Sequence, residues 1–558
     1  MFLAQFGGVA DQETGIGSGC HPTADGPDKA ETQGGIEMER RDFLRIGASG
    51  VGLAAMGSAA ACSPDTPVPE PTSVWSAGIA SGLHSATELV LWTRVDPTLA
   101  PTATTVDWEV ADDSAFANIV ASGTAPVDPS ADHTVKVLVG ALPSATDLWY
   151  RFTLGTEHSP VGHARTIPAP GSPTASLKFA FASCQAYACG YYGAWREIAT
   201  RDLDAVLFLG DYIYEASTIQ LLGIVREEGT SEAKTLADYR AKYRLYKSDP
   251  DLQAAHAAHA FVLTWDDHEV HNDYDRTVFT SDPQRAADAY RAWFEYQPVW
   301  PIDGTRIYRD LRFGDLGQVF MLDTRQYRDP HSPGAPLIGI RALGQAEAGP
   351  TRTMMGAAQK AWFLGGLADA QADGIPWKLV GNPTMIAPIR VIDLDTPENR
   401  AADPNLIKHA GFYTNANFDS WDGFPAERDE VLSALHTGGI ENVSFLSGDY
   451  HSFWQAELST DFDDPSAAIV ANDFATGAIS SAGGAFAENA LYGGAPTTSP
   501  GFNYIDTTSH GYGLVEVSHT ELVVTYLAFN AQYSSATPQP AVSFTLTPGD
   551  PHPTKQLL

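Results

Sequence analysis

The chain predicts an α/β layered domain preceded by a small β-sandwich. Short apolar strand-like runs mix with helical segments over residues 175–529, the pattern of a sheet packed between helices. A block of period-two alternation precedes them at residues 75–166. In addition, four of the apolar runs end in residue types that bind metal: Cys184, then Asp211 and Tyr214, then Asp266-Asp-His-Glu269, then Asp449 and His451.

In the front block, Leu89/Leu91, Val106/Trp108/Val110, Val135/Val137/Val139 and Leu148/Tyr150/Phe152 each mark one face of a strand. Several short strands with turn residues between them predict a sandwich. Residues 236–258 and 357–372 read as helices of the following domain. The expected layout is an upstream extension at 1–37, a twin-arginine signal at 38–62, a linker at 63–73, a fibronectin-like β-sandwich at 74–170, the layered domain at 175–530 and a tail at 531–558.

The signal rests on Arg40-Arg-Asp-Phe-Leu44 followed by a small, apolar stretch at 46–61, shorter than the ~20 residues of a membrane-spanning helix. It makes Met38 the expected start and implies the twin-arginine export machinery as a partner, with a periplasmic or secreted location. Ala60-Ala-Cys62 also fits a lipid-attachment site, giving Cys62 an anchor, while ordinary cleavage after an Ala fits as well. Pro64, Pro67, Pro69 and Pro71 make the next stretch a linker.

Composition is globular, with 44% hydrophobic and 10% aromatic residues. The net charge is −34, from 34 basic and 68 acidic residues, which argues against binding nucleic acid, whose partners carry a basic footprint. The same charge repels anionic substrates at long range, so a phosphate site would need local positive charge, and metal ions supply it. Acidity this strong with little Lys suits a salty habitat. Of the four cysteines, Cys20 and Cys62 lie in or near the targeting region and only Cys184 and Cys189 in the body, so this is no disulfide scaffold.

A carboxylate at a strand end, such as Asp211, has two oxygens and can bridge two cations. A turn can return the Tyr214 phenol to the same point, and a phenolate is a hard anionic ligand suited to ferric iron. Tyr212 reads as core. Adjacent acids after an apolar run are costly unless solvated or metal-bound, so Asp267 fits a second metal's ligand, with Asn272 a weaker one. His268 fits a proton handler near the leaving group, although the quartet also resembles a helix N-terminus with acids in its first turn. Asp449 and His451 are two apart, so in an extended segment both face one site. Cys184 is open between a disulfide to Cys189 and thiolate ligation. Arg325 fits a bidentate phosphate holder or an ion pair to Asp323 or Asp329. Asn382 ends a further strand, and His256 and His259 read as ordinary helix residues.

Taken together, these residues resemble the PhoD-like alkaline phosphatase family over residues 76–529. The resemblance is carried by Gly78-Ile-Ala-Ser-Gly82, Leu91-Trp-Thr-Arg-Val95, Ser183-Cys-Gln185, Gly210-Asp-Tyr-Ile-Tyr-Glu215, Trp265-Asp-Asp-His-Glu269, Asp323-Thr-Arg-Gln-Tyr-Arg328 and Ser447-Gly-Asp-Tyr-His451. More distantly, Asp211-x-x-Tyr214 looks like the iron motif of purple acid phosphatases. Leu148 departs from the family, which often has Tyr there, and Gly381-Asn-Pro383 is also unusual.

The resemblance implies a calcineurin-like metallophosphoesterase domain with ferric iron and calcium. It places iron on Cys184, Asp211, Tyr214 and Asp449, and calcium on Asp211 with some of Asp267, Asn272 and His451, though calcium prefers oxygen donors to a His nitrogen. It also tips Cys184 toward the ligand reading. The expected activity is alkaline phosphatase: hydrolysis of small-molecule or lipid phosphoesters by a metal-bound hydroxide, with His268 and Arg325 as catalytic residues, in a monomer. A phosphodiesterase or phospholipase D-type activity on the same centre is the alternative within enzymes. An exported binding protein with an inactive hydrolase body is the alternative from another class.

Overall fold

Strands buried on both faces read as unbroken apolar runs, and two sheets here are built that way. The computed structural model describes residues 72–216, 224–229, 231–330, 340–345, 347–414, 416–482, 499 and 501–558. The expected targeting region, Cys20, Cys62 and most of the expected linker lie outside the described residues.

The first sheet has ten strands and centres on three parallel ones: β1 (Ser176–Ala182), β2 (Ala205–Phe208) and β3 (Ala260–Leu263). The second has seven and centres on β4 (Gly317–Met321), β5 (Trp377–Asn382), β6 (Val443–Ser447) and β7 (Ile469–Ala475), also parallel to one another. Alternate residues serve alternate layers. Phe179, Phe181, Leu207 and Val262 of the first sheet meet Val319, Met321, Leu379 and Leu446 of the second in a shared inner core. Ala180, Val206, Phe208 and Phe261 face outward against Trp195, Tyr243 and Leu252. Phe320, Val380 and Phe445 face outward against Phe363, Leu367 and Leu432. The result is helix, sheet, sheet, helix, and the α/β expectation holds.

The helices over the first sheet are α1 (Leu236–Lys247), α2 (Pro250–Ala258) and α3 (Pro283–Tyr296); over the second lie α4 (Gly356–Ala372) and α5 (Pro425–Thr437). The single helix expected at 236–258 is two. Asp249 ends the first and caps the second, accepting from the amides of Asp251 and Leu252, and Pro250 occupies the first turn, where its missing N–H costs nothing.

In the front segment, Thr105–Ala111, Ile119–Pro126 and Asp147–Leu154 form a separate small sheet with two short strands. Ile79–Ser85, Glu88–Arg94 and Thr134–Val139 instead extend the ten-stranded sheet, with Ile79–Ser85 running parallel to β3. Val106, Val110, Leu148 and Phe152 of the small sheet pack on Leu89, Leu91, Val135 and Val139 of the extension. A sandwich forms, but one of its walls is the main sheet. At the other edge, β8 (His510–Ser518) pairs antiparallel with β1, and Leu522–Phe529, Gln539–Thr547 and Asp550–Leu557 follow. The residues expected as a tail at 531–558 therefore include two strands, one of which buries Val542, Phe544 and Leu546 in the core. Among the described residues no helix is long and apolar enough to cross a membrane.

Candidate metal centre

Beyond their last residues the parallel strands turn sharply, and the turns carry the candidate ligands. Cys184, Asp211, Asp449 and His451 all have positive φ, at 59°, 59°, 71° and 51°. This left-handed backbone costs a side-chain-bearing residue ~1–2 kcal/mol, and such strain concentrates at functional sites. Two glycines allow the turns to crowd. At Gly210 φ is +114°, and a Cβ there would lie 2.5 Å from Cβ of Asp266. At Gly448 a Cβ would meet the Ser183 hydroxyl at 2.8 Å and the Pro383 carbonyl at 2.9 Å. The Cys184 amide donates to the Gly210 carbonyl at 3.1 Å, tying the first turn to the second.

Cys184, Asp211 and His451 bring ligand atoms within 4.8 Å of one another. The Tyr214 hydroxyl joins them, donating to Asp211 Oδ2 at 2.9 Å and lying 3.0 Å from His451 Nε2. His451 Nδ1 lies 3.0 Å from the Ala482 carbonyl, a contact that puts its proton on Nδ1 and leaves the Nε2 lone pair toward the group. Ser481 accepts from the Ala186 amide and donates to the Tyr214 oxygen at 2.7 Å. Cys184 and Cys189 are both free, buried thiols.

Asp211 also belongs to a second group, with Asp267 and His268. Asp267 in turn gathers with Asp266 and Asp449, and with Asp273 and Asp419. This grouping by proximity differs from the ligand sets the resemblance implied. His451 stands with Cys184, Asp211 and Tyr214, a nitrogen beside sulfur and phenol, while Asp449 stands with the carboxylates, which suit a hard cation.

The donors fit cations on an internal test. Asp211, Asp266, Asp267, Asp273, Asp419 and Asp449 crowd together against two guanidinium groups, Arg325 and Arg328. Asp266 Oδ2 and Asp267 Oδ1 are buried with no hydrogen-bond partner among the described residues. Buried carboxylate oxygens without a hydrogen bond are costly, and cations would satisfy them.

Electrostatics agree. Burial, with the neighbouring acids Asp267 and Asp266, pushes Asp211 well above the carboxylate range. Burial pushes Asp449 up to about 6. Burial and the Asp211 carboxylate also drive Tyr214 and Cys184 far up. Positive charge is what would draw these protons off. His268 goes the other way from an ordinary buried histidine. Burial opposes its charge, but Asp267, Glu215 and Asp211 together raise it well above the usual value. Its Nδ1 lies 2.6 Å from Glu215 Oε2, and its ring sits 4.1 Å from that of Tyr214.

The structure sets Arg325 among carboxylates. It is fully buried, its Nε donates to Asp266, its Nη1 to Asp419 at 2.6 Å, and its Nη2 faces Asp267 at 3.6 Å. Its side chain pairs with carboxylates other than the Asp323 or Asp329 expected, and its Nη2 is left without a hydrogen-bond partner among the described residues. Asn272 is exposed, and its amide, not its side chain, makes the recorded bond, to Glu215 at 3.0 Å. Asn382 bonds the Thr384 carbonyl and the Ser447 hydroxyl beneath the site. His256 bonds the Tyr212 hydroxyl and His259 the Ile198 carbonyl, as core histidines do.

Asp419, Asp273, Glu215, Thr384 and Ser481 were not singled out in the sequence. Thr384 donates to Asp449 Oδ2 at 2.8 Å, and Asp419 binds Arg325 and Arg328. Glu215 was visible within the Gly210–Glu215 motif. Asp419 and Ser481 arrive from loops far along the chain, with no local pattern to mark them.

The sequence model of the PhoD-like phosphatase family matches residues 179–526, and that of the PhoD-like phosphatase N-terminal domain matches 61–168. Alkaline phosphatase D of Bacillus subtilis (strain 168) is 35% identical over 426 residues, 73% of this chain and 69% of that protein. A solved structure of PhoD has 32% identity and a TM-score of 0.78, covering 87% of this chain and 93% of that one. Purple acid phosphatase PPD1 from yellow lupin (Lupinus luteus) seeds shares the fold, with a TM-score of 0.51 at 11% identity over 84% and 73% of the two chains.

Proposed function

We propose, from the premise that this chain belongs to the PhoD-like phosphatase family and is a phosphoric ester hydrolase, that it is an exported alkaline phosphatase working through a cation centre bridged by Asp211. The observation that carries this is the double membership of Asp211, in one group with Cys184 and His451 and in another with Asp267 and His268. Sulfur, phenol and imidazole beside a carboxylate suit ferric iron; the all-carboxylate groups around Asp267 suit calcium. Cations there would neutralise phosphate oxygens and acidify a water.

The chain's own residues supply the remaining chemistry. His268, held at Nδ1 by Glu215, would carry a proton for the departing ester oxygen. Arg325 and Arg328 hold Asp419 and Asp266 in place. Ser481 orients the Tyr214 oxygen.

Two measurements test this. Prolonged chelation is expected to abolish phosphatase activity, and Tyr214→Phe to remove visible absorption from the protein. A colourless wild type, or a Tyr214→Phe variant with full activity, sinks the iron assignment. Export by the twin-arginine route belongs to the same proposal, supported by Arg40-Arg41 ahead of a small, apolar stretch. Changing both to Lys is expected to hold the activity in the cytoplasm; undiminished export would overturn it.

A further inference from the structure

We infer that Glu269 is a positioning residue that preforms the cation-holding turns after β2 and β3. Its carboxylate is 1% exposed and lies among the ligands without being one of any ligand group. Oε2 accepts the amide of Asp211 at 3.1 Å and that of Asp266 at 2.9 Å, while Oε1 accepts the amide of Tyr212 at 2.7 Å. Three main-chain donors from two turns thus converge on one side chain.

Those two turns need holding. Asp211 sits at φ 59° and Gly210 at φ 114°, and Gly210 is pressed against Asp266. Released, the Asp211 backbone would relax toward ordinary extended geometry, and its carboxylate would leave both ligand groups at once. The three bonds act in a water-poor interior, where an amide that loses its acceptor is costly to leave unpaired. The sequence places this clip three residues beyond Asp266, so the turn that carries Asp267 and His268 also carries the group that fastens it to the turn of Asp211 and Tyr214.

The inference rests on the reading that these turns hold cations, and the test separates the two. In Glu269→Gln one oxygen becomes an NH2 group, so at least one of the three amides faces a donor instead of an acceptor. The measurement is metal content and the rate of metal loss to a chelator, alongside the thermal midpoint and kcat and KM. Glu427→Gln is the control. Glu427 is equally buried and accepts the amides of Met354 and Met355, away from the ligand turns.

Glu269→Gln is expected to lose metal at least tenfold faster than wild type and to drop in kcat with little change in KM. Glu427→Gln is expected to lower the thermal midpoint with the rate of metal loss unchanged. Equal rates of loss in wild type and Glu269→Gln, or a faster loss that Glu427→Gln reproduces, overturns the positioning role while leaving the cation reading intact. A wild type that binds no metal overturns both. Should Glu269→Gln fail to accumulate, amide hydrogen exchange of wild type carries the test. The amides of Asp211, Tyr212 and Asp266 are expected to stay protected after chelation, and rapid exchange there overturns the inference.

Discussion

Arg325 shows how much the surroundings of one side chain add to its residue type. A guanidinium after a strand, in a protein that handles phosphate, invites a substrate contact, yet the structure surrounds it with Asp266, Asp267 and Asp419 at zero exposure. Removing one partner of such a buried cluster leaves uncompensated charge, worth about 3–5 kcal/mol. Arg325→Met is therefore expected to lower stability by that order in urea unfolding. A stable variant whose only defect is a raised KM would restore the phosphate role. The candidate ligand types were far more legible. Asp211, Asp267, Asp449 and His451 each follow an apolar run, and a polar residue there has few other employments. What stayed hidden was their grouping, because positive φ at Asp449 and His451 turns the two side chains apart from the simple two-residue alternation.

Among the elements, the segment between β5 and α5 is the one that brings Asp419 to the centre, and a histidine ties it down. His409, ahead of the short strand Gly411–Thr414, lies 2.9 Å from Asp429 on α5 through Nε2 and 3.1 Å from Asp463 through Nδ1. Lys408 also reaches Asp429, Arg390 reaches Asp463, and Asp395 accepts the His409 amide. Burial opposes charge on His409, but bonds to Asp429 and Asp463 outweigh it and raise its pKa, with nearby Arg428 opposing. Asp429 and Asp463 are shifted down; burial resists, and His409 is the main cause in each. The signs follow. The histidine's contribution is complete below its unfolded value of ~6.5 and is lost as pH rises through the higher folded value. The carboxylates contribute above their unfolded value of ~4 and lose it as pH falls through their lower folded values. Each charge-assisted bond is worth about 1.5–3 kcal/mol. Urea midpoints are expected to fall from pH 6 to pH 9 in wild type and to flatten in His409→Gln; parallel curves would refute the clamp. Element boundaries were legible where capping chemistry is local, and missed where it was overlooked, as at Asp249-Pro250. The last two strands escaped because Pro540, Pro551 and Pro553 mimic a tail, although Val542, Phe544 and Leu546 alternate as a strand should.

For the whole molecule, the excess of 34 negative charges is a uniform load on the compact state. Self-repulsion of this kind is screened as the Debye length shortens from ~10 Å at 0.1 M salt to ~3 Å at 1 M. The thermal midpoint is expected to climb with added sodium chloride across that range, and a flat or falling trend would show that the charge is already balanced locally. The layered architecture was legible from sequence because two-sided burial writes itself as continuous apolar runs. The sharing of one sandwich wall with the main sheet was not. Pairing between Ile79–Ser85 and β3 is a contact across nearly two hundred residues, and local periodicity carries no trace of its partner.

That pairing also fixes an order of events. The ten-stranded sheet draws its strands from the front segment, from the middle of the chain and from the last fifty residues. β1, which leads into Cys184, has β8 as its neighbour, so the strand beneath the first ligand stays an open edge until residues 510–518 have left the ribosome. Assembly of this kind is slow, since distant ends must meet before their contacts repay the loss of chain freedom. The centre can thus close only once that strand has emerged, and any cation it captures is captured late.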